Sequence, residues 1–189
     1  MDKKIVVITG ASSGIGKYLS IILSEEFHIF LVARSGEKLR KISDLITSRK
    51  NSCTIIKADI TKSDDIKIIK DRLNNINVDI LINNAGFGIF NKISDISIDE
   101  WKNHINTNLT GAFIMSKIVL KNMVAKKEGK IVFINSIAGK SPYPFSSAYV
   151  SSKFGLTGLA SSLREELRTD NIKVISIHPG SIDTPFWDN

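Results

Sequence analysis

The chain has 189 residues, a length that suits one domain with a sizeable core. It is 42% hydrophobic and 24% charged, ordinary for a globular protein, and no apolar run approaches the roughly 18 residues of a membrane-spanning helix. The net charge of +7 could serve nucleic acid or an anionic surface. The lysines, however, are interleaved with aspartates, as in "KSDDIKIIKDR", which reads as solvated helix faces and argues against both partners.

The N-terminus "MDKKIVVITG" passes at once into a strand and lacks the apolar region and cleavage site of a signal peptide. The single cysteine, Cys53, has no partner for an internal disulfide and reads as a small buried hydrophobe. Both observations point to a reducing, cytoplasmic setting.

Apolar runs recur along the chain: "KIVVIT" (4–9), "HIFLVA" (28–33), "CTIIKA" (53–58), "VDILIN" (78–83), "KIVFIN" (130–135) and "KVISIH" (173–178). Continuous apolar strands belong to parallel sheets covered by helices on both faces. The intervening segments have helical periodicity. The first is "GIGKYLSIILSEE", with Tyr18, Leu19, Ile22 and Leu23 along one stripe, followed by "SGEKLRKISDLITSRK" and "KSDDIKIIKDRLNN". Two long ones follow, "IDEWKNHINTNLTGAFIMSKIVLKNMVAK" and "SAYVSSKFGLTGLASSLREELRT". Strict alternation predicts a single α/β domain over residues 1–189, a Rossmann-type doubly wound parallel sheet with strand order 3-2-1-4-5-6.

Ligands in such sheets bind outside the carboxyl ends of the strands. Here those ends read "TGASSGIG", "ARSG", "ADIT", "NNAGFG", "NSIAG" and "HPGSIDT", a concentration of polar and glycine residues. "TGASSGIG" (9–16) leaves a strand and opens a helix, the setting of a dinucleotide-binding turn. Gly10 allows the turn, Gly14 lets backbone approach a pyrophosphate, and Gly16 lets helix and strand pack closely. The helix start offers free N–H groups, and Ser12 and Ser13 add hydroxyls. At the end of the second strand, where an acid commonly holds a ribose 2′-hydroxyl, the chain carries Arg34, suited to a 2′-phosphate. NADP(H) is therefore expected over NAD(H).

Tyr149 and Lys153 stand four residues apart in a predicted helix, so both lie on one face. A phenol beside an ammonium exchanges its proton more readily than a free one. Alone, such a pair is weak evidence. The histidines His28, His104 and His178 lack metal-ligand spacing and read as structural, so no metal is expected.

With these motifs in place, the chain resembles the short-chain dehydrogenase/reductase family over essentially its whole length. The matching segments are "TGASSGIG", Asp59 in "ADIT", "NNAG" at 83–86, Asn108 in "NTNLTG", Ser136 thirteen residues before Tyr149, and "PGSIDT" at 179–184. Asn135 departs from the pattern, in which a paired serine is common. The resemblance implies a catalytic set of Asn108, Ser136, Tyr149 and Lys153. Tyr149 would be the general acid/base, with Lys153 stabilising its phenolate and touching the nicotinamide ribose. Ser136 would hold the substrate oxygen, and Asn108 would kink its helix and support a water leading to Lys153. It implies a cofactor site of Gly10, Ser12, Ser13, Gly14, Ile15, Gly16 and Arg34, with Asp59 and Ile60 at the adenine. Asn83, Ala85, Gly86, Asn108, Tyr149 and Lys153 would follow, then Pro179, Gly180, Ile182 and Thr184 around the nicotinamide.

The expected activity is an NADP(H)-dependent transfer of hydride between nicotinamide and a carbonyl or secondary alcohol. A nucleotide-sugar epimerase shares the Tyr–Lys spacing but fits the glycine turn less well. A non-catalytic NADP(H)-binding regulator is the alternative from another class, and the complete catalytic set argues against it. The substrate mouth is expected from "GFGIF" (86–90), "KSPYPFSSA" (140–148) and whatever follows Trp187. Phe87, Phe90, Tyr143 and Phe145 make an apolar carbonyl substrate the expectation. The long helices holding Asn108–Met123 and Ala148–Leu167 are expected to pair with their copies in a homodimer or homotetramer. Family members usually continue past the sixth strand with a substrate-covering segment, a seventh strand and a final helix. Their lack before Asn189 makes a fragment or shortened relative, binding NADP(H) with weak or no turnover, a further expectation.

Overall fold

The computed structural model describes residues 3–187. Its strands are β1 (Ile5–Thr9), β2 (His28–Ala33), β3 (Cys53–Lys57), β4 (Ile80–Asn83), β5 (Gly129–Ile134) and β6 (Ile172–Ile177). All neighbours pair in parallel, and the sheet order is 3-2-1-4-5-6 as predicted. The helices are α1 (Gly14–Leu23), α2 (Gly36–Ser48), α3 (Ser63–Leu73), α4 (Ile98–Ile105), α5 (Gly111–Lys126) and α6 (Ser147–Glu166).

The two-residue period of a strand sends alternate side chains to opposite faces, and here both faces are covered. Val6 and Ile8 of β1, with Ile29 and Leu31 of β2, pack beneath Ile21 of α1 and Leu39, Ile42 and Ile46 of α2. Val7, Leu81, Ile131 and Phe133 face the other way. They join Ile69 and Leu73 of α3, Met115, Val119 and Met123 of α5, and Leu156 and Ala160 of α6. This two-sided burial is the physical reason the strands read as unbroken apolar runs.

Two features differ from the sequence reading. The stripe of α1 faces the core only in part: Leu19 and Leu23 pack against it, whereas Tyr18 and Ile22 are 60% and 61% exposed, and Gly16, Ser20 and Ile21 are buried. The small residues face inward because Gly16 sits directly against the backbone of Gly10, where a Cβ would lie 2.3 Å from its carbonyl oxygen. The predicted long helix over 98–126 is also interrupted, at Asn108, where the resemblance implied a kink. A π-helical turn, Asn106–Thr110, separates α4 from α5 and carries Asn108. Such turns realign the helix on either side and often occur at functional sites.

β6 lies at one edge of the described sheet, with Ile175 and Ile177 exposed. Among the described residues no helix is long and apolar enough to cross a membrane, and no group of three His, Cys, Asp or Glu could hold a metal ion. The stretch after Trp187, expected at the substrate mouth, lies outside the described residues.

Candidate active site

A cleft of about 950 Å³ runs along the carboxyl ends of the strands. That volume is at the upper end of the usual range for small-molecule and cofactor sites, about 300–1,000 Å³.

One end is built from the β1–α1 turn. Gly10 and Gly14 have φ of +65° and +49°, a conformation that disfavours any side chain with a Cβ. A Cβ on Gly10 would also lie 2.8 Å from the Cα of Ala85. The turn is clamped from β4. The Asn84 amide donates to the carbonyls of Thr9 (2.9 Å) and Gly10 (3.2 Å), and Thr9 Oγ1 accepts the backbone N–H groups of Asn84 and Ala85. Ser13 caps α1 with extended backbone but makes no side-chain capping bond, and no acid lies in the first turn. The first N–H groups of α1 therefore keep their hydrogen-bonding capacity and the positive end of the helix dipole, which suits a phosphate. Across the cleft, Thr184 faces Gly14, its Cβ 3.4 Å from where a glycine Cβ would sit. A side chain on Gly14 would fill that gap, so glycine keeps a channel open between the turn and the 179–184 segment.

Ser12, Ser13, Gly14 and Ile15 line this part of the cleft, and Arg34, Ser35 and Lys38 line it beyond the end of β2. Ser35 caps α2 by accepting the Lys38 N–H. Arg34 and Lys38 are exposed, as is Lys62, which also lines the cleft, so Arg34 has two cationic neighbours there that spacing alone does not reveal. Asp59 and Ile60, beyond the end of the neighbouring β3, line the cleft next. The Asp59 carboxylate accepts both the N–H and the hydroxyl of Thr61, which fixes the turn after β3.

The other end holds Ser136, Tyr149 and Lys153. Tyr149 and Lys153, on one face of α6, are 6% and 5% exposed. The Lys153 ammonium donates to the Ile134 carbonyl at 3.2 Å and lies 5.6 Å from the centre of the Tyr149 ring. Burial lowers Lys153 to about 8. Burial pushes the Tyr149 phenol up, and a hydrogen bond with the Ser136 side chain partly opposes this. The depressed phenol expected from the resemblance is thus not a property of the chain alone, because desolvation penalises phenolate more than its neighbours favour it.

Of the predicted site residues, Ala85, Gly86, Pro179, Gly180, Ile182 and Thr184 also line the cleft, between its two ends. Gly16, Asn83 and Asn108 do not line it and stand behind the wall. Gly16 packs on Gly10. The Asn83 amide donates to Ser116 Oγ (3.1 Å), joining β4 to α5. Asn108 is fully engaged: its carbonyl oxygen accepts the Phe87 N–H, and its amide donates to the Phe87 carbonyl and to Ser152 Oγ. It ties the π turn, the loop after β4 and α6 together, and Gly86 lies between it and Lys153.

Supports that sequence reasoning missed are mostly polar side chains in unremarkable contexts. The Asn135 amide donates to the Lys153 carbonyl (3.3 Å) and to Thr157 Oγ1 (2.9 Å), fastening the end of β5 to α6. His104, buried, accepts the Ile89 N–H at Nε2 and donates from Nδ1 to the Glu100 carbonyl, with Phe87 stacked 4.5 Å away. His28 bridges Ser52 and Thr54 at the far edge of the sheet. Around the Tyr149 ring, Phe90 lies edge-on at 5.4 Å and Phe186 at 5.7 Å, and Tyr143 lies 6.3 Å from Phe90. Phe145 is exposed at φ +60°, and neither it nor Phe90 is in the lining.

The profile of the short chain dehydrogenase family matches residues 4–189, and the chain belongs to that family. An uncharacterized oxidoreductase of Staphylococcus aureus (strain MRSA252) is 33% identical over 187 residues, covering 97% of this chain and 80% of its own. Among solved structures, a metagenomic short-chain oxidoreductase in complex with NADP superposes with a TM-score of 0.90 at 33% identity, covering 96% of this chain and 84% of that one. An actinorhodin polyketide ketoreductase variant with NADPH gives 0.92 at 30% identity, covering 98% and 74%. The chain is accordingly an oxidoreductase-family Rossmann protein.

Proposed function

We propose that the chain is an NADP(H)-dependent oxidoreductase that interconverts a small apolar carbonyl compound and its secondary alcohol. The observation that carries this reading is the continuity of one cleft. It joins an uncapped helix start and the cations Arg34, Lys38 and Lys62 at one end to half-buried Ser136 and buried Tyr149 and Lys153 at the other. NADP and NADPH in the solved relatives favour the phosphorylated cofactor.

In this reading the N–H groups at the start of α1 hold the pyrophosphate, and Arg34 with Lys38 holds the 2′-phosphate. Asp59 and Ile60 border the adenine, Lys153 reaches the nicotinamide ribose, and the 179–184 segment borders the nicotinamide. The bound nicotinamide supplies or takes the hydride. Ser136 Oγ holds the substrate oxygen, so the charge that develops there meets a fixed donor. Tyr149 gives its phenolic proton to that oxygen in reduction and takes it back in oxidation. Asn108 keeps α6 and the loop after β4 in register around Lys153. Every ionisable lining residue other than Lys153 and the tyrosines lies at the Arg34 end, while Phe87, Ile89, Tyr143 and Phe186 line the reacting end. A neutral, apolar ketone or aldehyde suits that surface, because a carboxylate or phosphate there would be desolvated without a partner.

We also propose that the chain forms a homo-oligomer through the helices holding Asn108–Met123 and Ala148–Leu167, on which Phe113 and Phe154 are exposed. A panel of neutral and anionic carbonyl substrates, followed by NADPH consumption, tests the reading. Turnover of neutral ketones in preference to keto acids supports the reading; NADPH binding with no consumption on any substrate contradicts it and bears out instead the expectation of a chain that binds the cofactor without turning over.

A further inference from the structure

His178 follows β6 directly, is half-buried, and does not line the cleft. Both ring nitrogens are engaged: Nδ1 lies 2.9 Å from the Ser136 carbonyl oxygen, and Nε2 lies 3.0 Å from Ser176 Oγ. A carbonyl only accepts, so Nδ1 carries the hydrogen. In the neutral ring Nε2 is then the acceptor, and the Ser176 hydroxyl donates to it. The partners dictate the tautomer and the ring plane.

The bond to Ser136 is placed where the backbone most needs it. Past the strand ends, the Asn135 N–H donates to the Ile177 carbonyl (2.8 Å), and the Ile137 N–H donates to the Pro179 carbonyl (2.9 Å). The Ser136 carbonyl and the Ile137 N–H are the two polar ends of one planar peptide unit. That unit is held at one end by His178 and at the other by Pro179. Its orientation fixes ψ of Ser136, and the same residue's Oγ accepts the Ala138 N–H at 3.1 Å. Pro179 also opens the segment running to Thr184, so the two bonds join the residues at Ser136 to those facing the glycine turn.

We infer that His178 is a positioning residue: its Nδ1–H locks the Ser136–Ile137 peptide plane and thereby holds Ser136 Oγ at the reacting oxygen beside Tyr149. This rests on the role of Ser136 proposed above. Displacing a reacting group by about 1 Å costs on the order of 10²-fold in rate, so loosening one of two anchors is expected to cost about tenfold.

The test compares H178L, which removes the donor, with H178N, whose amide stands where Nδ1 does. H178L should lower kcat about tenfold and leave NADPH affinity within about twofold, whereas H178N should retain most of the wild-type rate. In an S136A background the same H178L change should have no further effect, because the group it positions is gone. Independently of turnover, amide hydrogen exchange in the free protein should show the Ala138 N–H exchanging about tenfold faster in H178L and near the wild-type rate in H178N. An unchanged Ala138 amide in H178L, or an equal loss of kcat with and without Ser136, overturns the inference. A wild-type chain that turns over no carbonyl defeats the proposed function instead, and the exchange result still decides whether His178 anchors Ser136.

Discussion

The two ends of the cleft solve opposite physical problems. At the β1–α1 end the working groups are backbone N–H donors and exposed cations, and what shapes them is the absence of side chains at Gly10, Gly14 and Gly16. At the α6 end the working groups are side chains taken almost entirely out of water, and what shapes them is desolvation: Lys153 falls to about 8 and the Tyr149 phenol rises. A site made of backbone is rigid, tolerant of salt at its core, and intolerant of a single methyl group. A site made of buried ionisable groups is sensitive to pH and to the loss of any one hydrogen bond.

The largest expected effect lies at the buried end. Tyr149→Phe keeps the ring between Phe90 and Phe186 and removes only the hydroxyl, so steady-state kcat should fall by at least about 10²-fold. NADPH affinity, followed by fluorescence titration, should stay within about twofold. A parallel loss of affinity would show that the phenol serves cofactor binding rather than proton transfer.

The pH response of stability should also come from this end. Because the folded chain releases the Lys153 proton near pH 8 and the unfolded chain near 10.5, the unfolded state binds more protons between the two. Stability should therefore rise with pH from about 8 to 10, by about 2–3 kcal/mol from this group. Above about pH 10 the raised Tyr149 phenol acts in the opposite sense, since the unfolded chain loses that proton first. Urea unfolding across this range should show the rise in the wild type and lose it in Lys153→Met.

At the backbone end, Gly16→Ala should destabilise by about 1–3 kcal/mol, because its Cβ would meet the Gly10 carbonyl and the Asn84 amide within 2.5 Å. The effect should be independent of pH from 7 to 10. A pH-dependent loss would mean that the two ends are coupled through the core.

Smallest is Arg34→Ala. An exposed guanidinium is screened by salt, so NADPH affinity should fall about tenfold at low ionic strength and less at high, with NADH unchanged. Equal losses for both cofactors would place Arg34 away from the 2′-phosphate.

The same contrast explains what was legible in the sequence. The sheet order and the strands were readable because two-sided burial leaves unbroken apolar runs, and the glycine turn was readable because only glycine serves there. The end of β2 was half-legible: Arg34 stood at an expected position, but Lys38 joins it only through the geometry of the α2 start. The α1 stripe was half-legible: Leu19 and Leu23 pack on the core as expected, but Gly16 makes the closest approach to the β1 turn, which leaves Tyr18 and Ile22 facing out. The clamps of Asn135 and His104 left little trace, since a polar residue that bonds distant backbone has no period, whereas Asn84 lay within the recognisable NNAG segment. Nor could spacing alone show that burial outweighs the Tyr149–Lys153 pairing in the free chain, a matter of desolvation and of where the ammonium points.

The claim that the two ends form one working site is tested most directly by isotope transfer. NADPH carrying deuterium at the transferable C4 position is incubated with the wild-type chain and a neutral ketone, and the alcohol is analysed by mass spectrometry. The account predicts one deuterium at the carbinol carbon for each NADPH consumed, and almost none with Tyr149→Phe although NADPH still binds. Tight NADPH binding by the wild type without deuterated alcohol from any ketone would contradict it and would make the chain a binding protein.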